Sequence, residues 1–119
     1  MYKRSDKVAE AIHKLVSELL VRGLKDPRVG FVTVTDVKVT DDMRQATVYF
    51  SVVGNEAQRK DTEAGLNSAR GFIRKELARG LNMRFTPEIR FKYDTSVEYG
   101  SHIDTILKEI GSRDETDNS

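Results

Sequence analysis

The feature that most constrains the fold is a long helical stretch that contains a glycine. From about residue 56 to residue 81, apolar residues recur at helical spacing and form one stripe, namely Leu66, Ala69, Ile73, Leu77 and Leu81. Phe72 lies outside this stripe, because neighbouring residues of a helix point about 100° apart. Glycine inside a helix costs roughly 0.5–1 kcal/mol relative to alanine, and Gly71 stands beside Phe72. The pattern therefore predicts two helices joined by a bend near Gly71.

Two runs before this stretch predict an antiparallel hairpin. Residues 29–39 are rich in β-branched side chains, and residues 45–53 alternate cleanly, with Ala46, Val48, Phe50 and Val52 on one face. Residues 40–43, TDDM, supply the turn between them. The alternation of the first run is irregular near Thr35 and Asp36, which predicts a β-bulge or burial on both sides.

The two ends of the chain predict further elements. A first helix is expected to begin with Ser5 as its cap and to end at Gly23, with a buried stripe formed by Val8, Ile12, Leu15, Val16 and Leu19. Residues 84–94 alternate like a strand, with Pro87 at an edge or near its start. Phe85, Ile89, Phe91 and Tyr93 share one side of this strand, and Arg84, Glu88, Arg90 and Lys92 share the other.

The resulting order is α-β-β-α-bend-α-β-α, in which residues 97–111 supply the last helix. This order predicts a single α+β domain with the helices packed on one face of a three-stranded sheet. We expect the domain to span residues 1–111, and residues 112–119 to form a disordered polar tail.

The composition excludes several classes of protein. The chain has no cysteine, which excludes disulfides and cysteine-based metal sites. Its longest apolar runs are about four residues, whereas a membrane-spanning helix needs about 20. The N-terminal residues include no unbroken apolar run, so we expect no secretory signal and a cytoplasmic location.

The net charge of +1 conceals a strong asymmetry along the chain. Residues 67–92 contain seven Lys and Arg against two Glu, and residues 1–28 contain seven basic against four acidic residues. Residues 93–119 contain two basic against seven acidic residues. Such an asymmetry favours an anionic partner, although scattered charges on solvated faces would give the same counts.

One acidic cluster has the residue types needed for chemistry: Asp94, Glu98, His102 and Asp104. Carboxylates beside a histidine can hold a divalent metal or transfer protons. The cluster also straddles a predicted strand end and helix start, where carboxylates serve as caps. No P-loop, G-x-G-x-x-G motif or Ser/His/Asp set is present. We expect no enzyme, cofactor or metal, and the alternative is a small metal-dependent RNA hydrolase that uses Asp94, Glu98 and Asp104.

The predicted bend is itself a candidate nucleic-acid site. A turn between helices presents the first amides of the second helix, which suit a phosphate. Ala69 and Gly71 would shape the bend and let a sugar–phosphate backbone approach closely. The cations predicted to contact phosphates are Arg70, Arg74, Lys75 and Arg79. The alternative is that Gly71 serves only to fit Phe72 and Ile73 into the core.

Three motifs support a family resemblance. Ala69–Arg70–Gly71 resembles the A-x-G interruption of the bacterial ribosome-binding factor A family, whose fold is a type II KH-like domain. Residues 25–30, KDPRVG, and residues 91–100, FKYDTSVEYG, are similar to two further motifs of that family. Classical KH domains clamp single-stranded nucleic acid with a G-x-x-G loop, which this sequence lacks.

The resemblance implies an assembly factor without enzymatic activity. Members of the family bind the immature small (30S) ribosomal subunit and its 16S rRNA, assist late rRNA maturation including the processed 5′ end, and are linked to growth in the cold. The implied partner is the free small subunit rather than the joined 70S ribosome. A protein-interaction module with a basic face is a further alternative.

We expect the chain to be a monomer that holds structured RNA through phosphates, with RNA shape counting more than base sequence. A second basic set is predicted to contribute and comprises Lys3, Arg4, Lys7, Arg22, Lys25 and Arg28. Arg84, Arg90 and Lys92 form a weaker third set on the solvent side of the last strand.

Overall fold

The computed structural model describes residues 2–23 and 31–96 of the chain. Six elements follow one another in these residues: α1 (Arg4–Arg22), β1 (Val32–Val39), β2 (Gln45–Val52), α2 (Glu56–Ser68), α3 (Arg70–Leu81) and β3 (Glu88–Tyr93). The predicted order and the α+β class are confirmed as far as β3. The helix predicted over residues 97–111 and the tail over residues 112–119 lie outside the described residues.

The three strands form one mixed sheet in the order β1-β2-β3. β2 is antiparallel to β1 and parallel to β3, so the hairpin is confirmed and the two helices α2 and α3 form the crossover to β3. The register pairs Val34 with Phe50 but Asp36 with Tyr49, which leaves Thr35 as an extra residue. The predicted β-bulge is therefore confirmed at this position.

The core lies between one face of the sheet and the three helices. α1 packs on β1 and α3, whereas α2 and α3 pack on β3. The buried apolar residues of the strands are Val34, Val37, Ala46, Val48, Phe50, Ile89 and Phe91. On the other face of the sheet, Lys38, Arg90 and Lys92 are exposed, and this face carries no described helix. None of the helices in the described ranges is long and apolar enough to cross a membrane.

The start of α1 differs from the prediction. The N-cap is Lys3 rather than Ser5, and Ser5 is buried within the first turn. The carboxylate of Asp6 accepts a hydrogen bond from the main-chain N–H of Lys3 at 2.7 Å. In a capping box, the side chain of the third helical residue accepts a hydrogen bond from the main-chain N–H of the N-cap, and Asp6 makes this bond. The helix therefore starts without a serine cap. Gly23 ends the helix as predicted, with φ 86°.

The predicted break between α2 and α3 is confirmed within Ala69–Arg70–Gly71 and lies at Ala69 rather than at Gly71 itself. Ala69 has φ −89° and ψ 2°, a conformation open to any L-residue, so the break needs no glycine. Gly71 is an ordinary helical residue of α3. Ile73 is buried but Phe72 is 53% exposed, so Gly71 does not serve to fit Phe72 into the core.

Candidate nucleic-acid interface

Three of the four cations predicted on α3 are exposed and only weakly engaged. Arg70 Nε donates to the main-chain oxygen of Asn67 at 3.1 Å, and Arg79 Nη1 lies 3.4 Å from Glu76 Oε1. Lys75 has no ion-pair partner among the described residues. Exposed contacts of this kind are worth about 0–1 kcal/mol, so a phosphate can replace them at little cost.

Arg74 has a different role from its neighbours on α3. Its Nη2 donates to the main-chain oxygen of Thr86 at 3.0 Å, and its Nη1 lies 3.1 Å from Glu88 Oε1. These bonds connect α3 to the segment before β3, here named the 82–87 loop. Arg74 therefore positions this loop, a role that the sequence did not reveal because its partners lie 12 and 14 residues away along the chain.

The 82–87 loop presents an exposed aromatic ring. Asn82 ends α3 in the left-handed conformation, at φ 49° and ψ 42°, and turns the chain away from the helix. Pro87 is buried, and Phe85 between them is 74% exposed. Arg84 lies over this ring, with its guanidinium carbon 5.5 Å from the ring centroid.

The predicted extension of the strand alternation to Phe85 is wrong. β3 begins only at Glu88, and the alternation holds from there, with Ile89 and Phe91 buried and Tyr93 half-buried. Pro87 has no N–H to donate, which accounts for a strand that starts directly after it. Arg90 and Lys92 lie on the exposed side of β3 as predicted, whereas Arg84 belongs to the loop.

Two shallow grooves meet at the 82–87 loop and share Arg74, Arg84, Phe85 and Thr86 in their walls. The first groove continues along α3 over Gly71 and Lys75. The second groove continues to Arg4 at the start of α1 and to Arg44 before β2, and its wall also holds Asp42 and Glu88. Glu88 is paired with Arg74. Asp42 accepts hydrogen bonds from Thr40 Oγ1 at 2.6 Å and from the Arg44 N–H at 3.0 Å.

Asp42 and Glu88, the two carboxylates of the second groove, thus bond to other groups of the same chain. We call the cationic side chains around Phe85 the groove cations, and they are Arg4, Arg44, Arg74, Lys75 and Arg84. The sequence did not single out Phe85 or Arg44 for this site. The sequence does contain one clue, which is that Arg84 and Phe85 are adjacent two residues before Pro87.

Gly71 lies in the wall of the first groove with open space around it. A Cβ atom placed on Gly71 would meet nothing within 4 Å, whereas one on Gly80 would lie 2.8 Å from Leu15 Cδ1. The packing of α3 therefore does not require glycine at position 71. What the missing side chain provides is access to the surface of the helix from the groove.

The structure separates the members of the second basic set. Arg4 reaches the second groove, and Lys3 Nζ lies 3.3 Å from Asp41 Oδ1 in the turn of the hairpin. Lys7 is exposed one turn further along α1. Arg22 stands at the opposite end of α1, ~27 Å from Arg4 along the axis. Lys25 and Arg28 lie outside the described residues.

Asp94 has a structural role at the end of β3. Its carboxylate accepts hydrogen bonds from the N–H of Ser96 at 2.9 Å, from the Ser96 hydroxyl, and from Thr35 Oγ1 at 2.5 Å. The Ser96 hydroxyl first, and then the Thr35 hydroxyl, lower the pKa of Asp94 below its ordinary value. These hydrogen bonds support the structural, capping role for Asp94 rather than a catalytic one. Glu98, His102 and Asp104 lie outside the described residues. Within residues 2–23 and 31–96, no group of three His, Asp or Glu side chains could hold a metal ion.

A model of the ribosome-binding factor A family matches residues 4–107 of the chain. The chain belongs to this family. Ribosome-binding factor A of Geotalea daltonii is 68% identical to it over 118 residues, which cover 99% of this chain and 96% of the relative. That of Citrifermentans bemidjiense is 63% identical over the full length of both proteins.

Solved structures of ribosome-binding factor A share the fold. A solution structure from Thermotoga maritima, described as a putative ribosome-binding factor A, matches with a TM-score of 0.67 and 41% identity over 75% of this chain and 85% of that one. A Thermus thermophilus ribosome-binding factor A, fitted as a homology model into a cryo-EM map of its 30S complex, matches with a TM-score of 0.58 and 23% identity over 77% of this chain and 92% of that one. The KH-like type II assignment is consistent with these neighbours.

Proposed function

We propose that this chain is a ribosome assembly factor that binds the immature small subunit through its 16S rRNA and assists late rRNA maturation. The observation that carries the proposal is the cluster of groove cations around an exposed aromatic ring, beside the A-x-G turn of a ribosome-binding factor A family member. The name shared by its relatives, and the 30S complex of the Thermus thermophilus protein, support the small subunit as the partner.

The proposed mechanism is binding without catalysis. Lys75, Arg79 and Arg70 on α3, with Arg4 and Arg44 across the second groove, neutralise phosphates of folded rRNA. Each neutralised phosphate releases counterions, so binding weakens as the salt concentration rises. Gly71 leaves the surface of α3 open to a close approach of the RNA backbone. The factor works in the cytoplasm as a monomer on free small subunits, without a cofactor.

The proposed RNA-binding domain spans residues 1–111, and residues 112–119 form a tail outside it. Arg74 contributes by holding the 82–87 loop in place, so it acts on the RNA through Arg84 and Phe85. Lys3, Lys7, Lys25 and Arg28 add to the positive charge of the N-terminal part of the chain. Arg22 is distant from the grooves along α1 and contributes least to this surface.

Co-sedimentation tests the proposal directly. The purified chain is mixed with immature small subunits, mature small subunits and 70S ribosomes, and each mixture is separated on a sucrose gradient. We expect the chain to migrate with free small subunits and to be absent from 70S ribosomes. Loss of the protein from the particles after RNase treatment separates RNA binding from binding to a ribosomal protein.

A matched pair of variants adds a test of the surface. Lys75→Ala with Arg79→Ala removes two charges from α3, and Lys38→Ala with Lys60→Ala removes two exposed charges elsewhere. We expect only the first pair to lower the bound fraction. Equal loss in both pairs would mean that overall charge, rather than this surface, drives binding. We also expect RNA to remain intact when it is incubated with the chain and divalent metal ions, because the proposed factor is not a hydrolase.

A further inference from the structure

Phe85 combines high exposure with a fixed main chain. The ring is 74% exposed, yet the chain on both sides of it is anchored. Met83 packs against the core, the carbonyl of Thr86 accepts from Arg74 at 3.0 Å, and Pro87 is buried. An exposed ring on an anchored loop loses little conformational freedom when a ligand covers it.

The surroundings of Phe85 decide which ligand class fits the ring. The groove walls also hold Met43, Met83 and Ala78, but the five groove cations stand around the ring on both sides, and a wholly apolar protein partner would have to bury these charges without partners. An aromatic face among cations suits a nucleobase whose flanking phosphates meet those cations. Bases inside a duplex have their faces covered by neighbouring bases, so the matching ligand is unpaired RNA.

We propose that Phe85 is a stacking platform for one unpaired base of the rRNA. Lys75 on one side and Arg44 on the other meet the flanking phosphates, and the base stacks on the face of the ring that Arg84 does not cover. This inference rests on the proposed function and refines it, because it names an unpaired nucleotide, rather than the duplex backbone alone, as a ligand of this surface.

The absence of tryptophan from the chain allows a clean reporter of stacking. Phe85→Trp creates a single tryptophan on the loop, and Phe31→Trp creates a control at a residue that is 92% exposed just before β1 and lines neither groove. The probes are an eight-nucleotide oligoadenylate and an RNA duplex of the same length. We expect the single strand to quench Phe85→Trp strongly and the duplex to quench it little, while neither quenches Phe31→Trp. Equal quenching of both variants, or none at position 85, would overturn the proposal.

Affinity for immature small subunits provides the second readout. We expect Phe85→Ala to weaken binding roughly 5- to 150-fold, the range that follows from removing one stacked base. The salt dependence should keep its slope, because a neutral ring releases no counterions. Phe85→Tyr, which keeps an aromatic face, should bind like the parent.

The two proposals fail in different ways. If Phe85→Ala binds subunits as tightly as the parent while Lys75→Ala with Arg79→Ala does not, base stacking is refuted and the assembly-factor function stands. If the parent chain does not co-sediment with small subunits at all, the proposed function is refuted, and the stacking proposal with it.

Discussion

The guanidinium of Arg74 on α3 lies 3.1 Å from the carboxylate of Glu88 at the start of β3. The same guanidinium holds the main-chain oxygen of Thr86 at 3.0 Å. Both side chains are partly exposed, so the ion pair alone is worth about 0–1 kcal/mol. Its main consequence is geometric, because it fixes the 82–87 loop against α3 and with it the position of Phe85.

The first prediction concerns this connection. Arg74→Ala should lower the free energy of unfolding by about 1 kcal/mol, since it removes one charge-assisted hydrogen bond and a partly exposed ion pair. Urea denaturation measures this change. Glu88→Gln is the control, because it leaves the bond to Thr86 intact, and it should change stability by less. Amide chemical shifts of residues 82–87 that stay unchanged in Arg74→Ala would contradict the role of Arg74 in holding the loop.

The salt dependence of subunit binding gives the second prediction. Each lost phosphate contact flattens the slope of log K against log salt concentration by about 0.7 to 0.9. Lys75→Ala with Arg79→Ala should therefore reduce the slope by about 1.4 to 1.8. Binding titrations between low and moderate salt measure the slope. A slope that matches that of Lys38→Ala with Lys60→Ala would remove Lys75 and Arg79 from the interface.

Gly71 is the subject of the third prediction. Gly71→Ala should fold normally and gain up to about 0.5–1 kcal/mol in stability, because the added Cβ meets no atom and alanine favours the helix. Its affinity for small subunits should nevertheless fall, because the methyl group occupies the groove. Thermal unfolding and co-sedimentation measure the two effects. A stabilised variant that binds as well as the parent would show that the RNA backbone does not approach Gly71 closely.

The fourth prediction uses the titration of Asp94. Its pKa is lowered in the folded chain, so the carboxylate form stabilises the fold at neutral pH. This contribution is complete above the unfolded pKa, near 3.8, and is lost as the pH falls through the lower folded pKa. Asp94→Asn should therefore be less stable than the parent at pH 7, and the difference should shrink below about pH 4. Thermal midpoints from pH 7 to pH 3 test this, and a constant difference would contradict it.

Much of the fold could be predicted from residue periodicity. The alternation of Ala46, Val48 and Phe50 identified β2 and its buried face, and the irregularity near Thr35 identified the bulge. These features depend on local geometry, because side chains alternate along a strand and repeat at 3.6 residues along a helix. The helical repeat of about 3.6 residues likewise predicted the exposed cations of α3.

Contacts between residues far apart in the chain required the tertiary structure. Periodicity could not show that Arg74 bonds Thr86 and Glu88, or that Arg4 shares a groove with Arg44, because these contacts depend on how the elements pack. The cap of α1 also differs from prediction, because Asp6 rather than Ser5 makes the capping bond. Within the predicted A-x-G bend, the backbone angles of Ala69 place the break there rather than at Gly71.

Sequence alone thus determined the order of the elements, the buried faces and the family motifs, because each depends on neighbours along the chain. The tertiary structure decided which of the predicted cations share a surface. It also placed Phe85 among them, because the buried Pro87 and the bond from Arg74 to Thr86 hold the 82–87 loop outside β3. The sequence supplies the cationic and aromatic side chains of the site, and the packing of the elements brings them together.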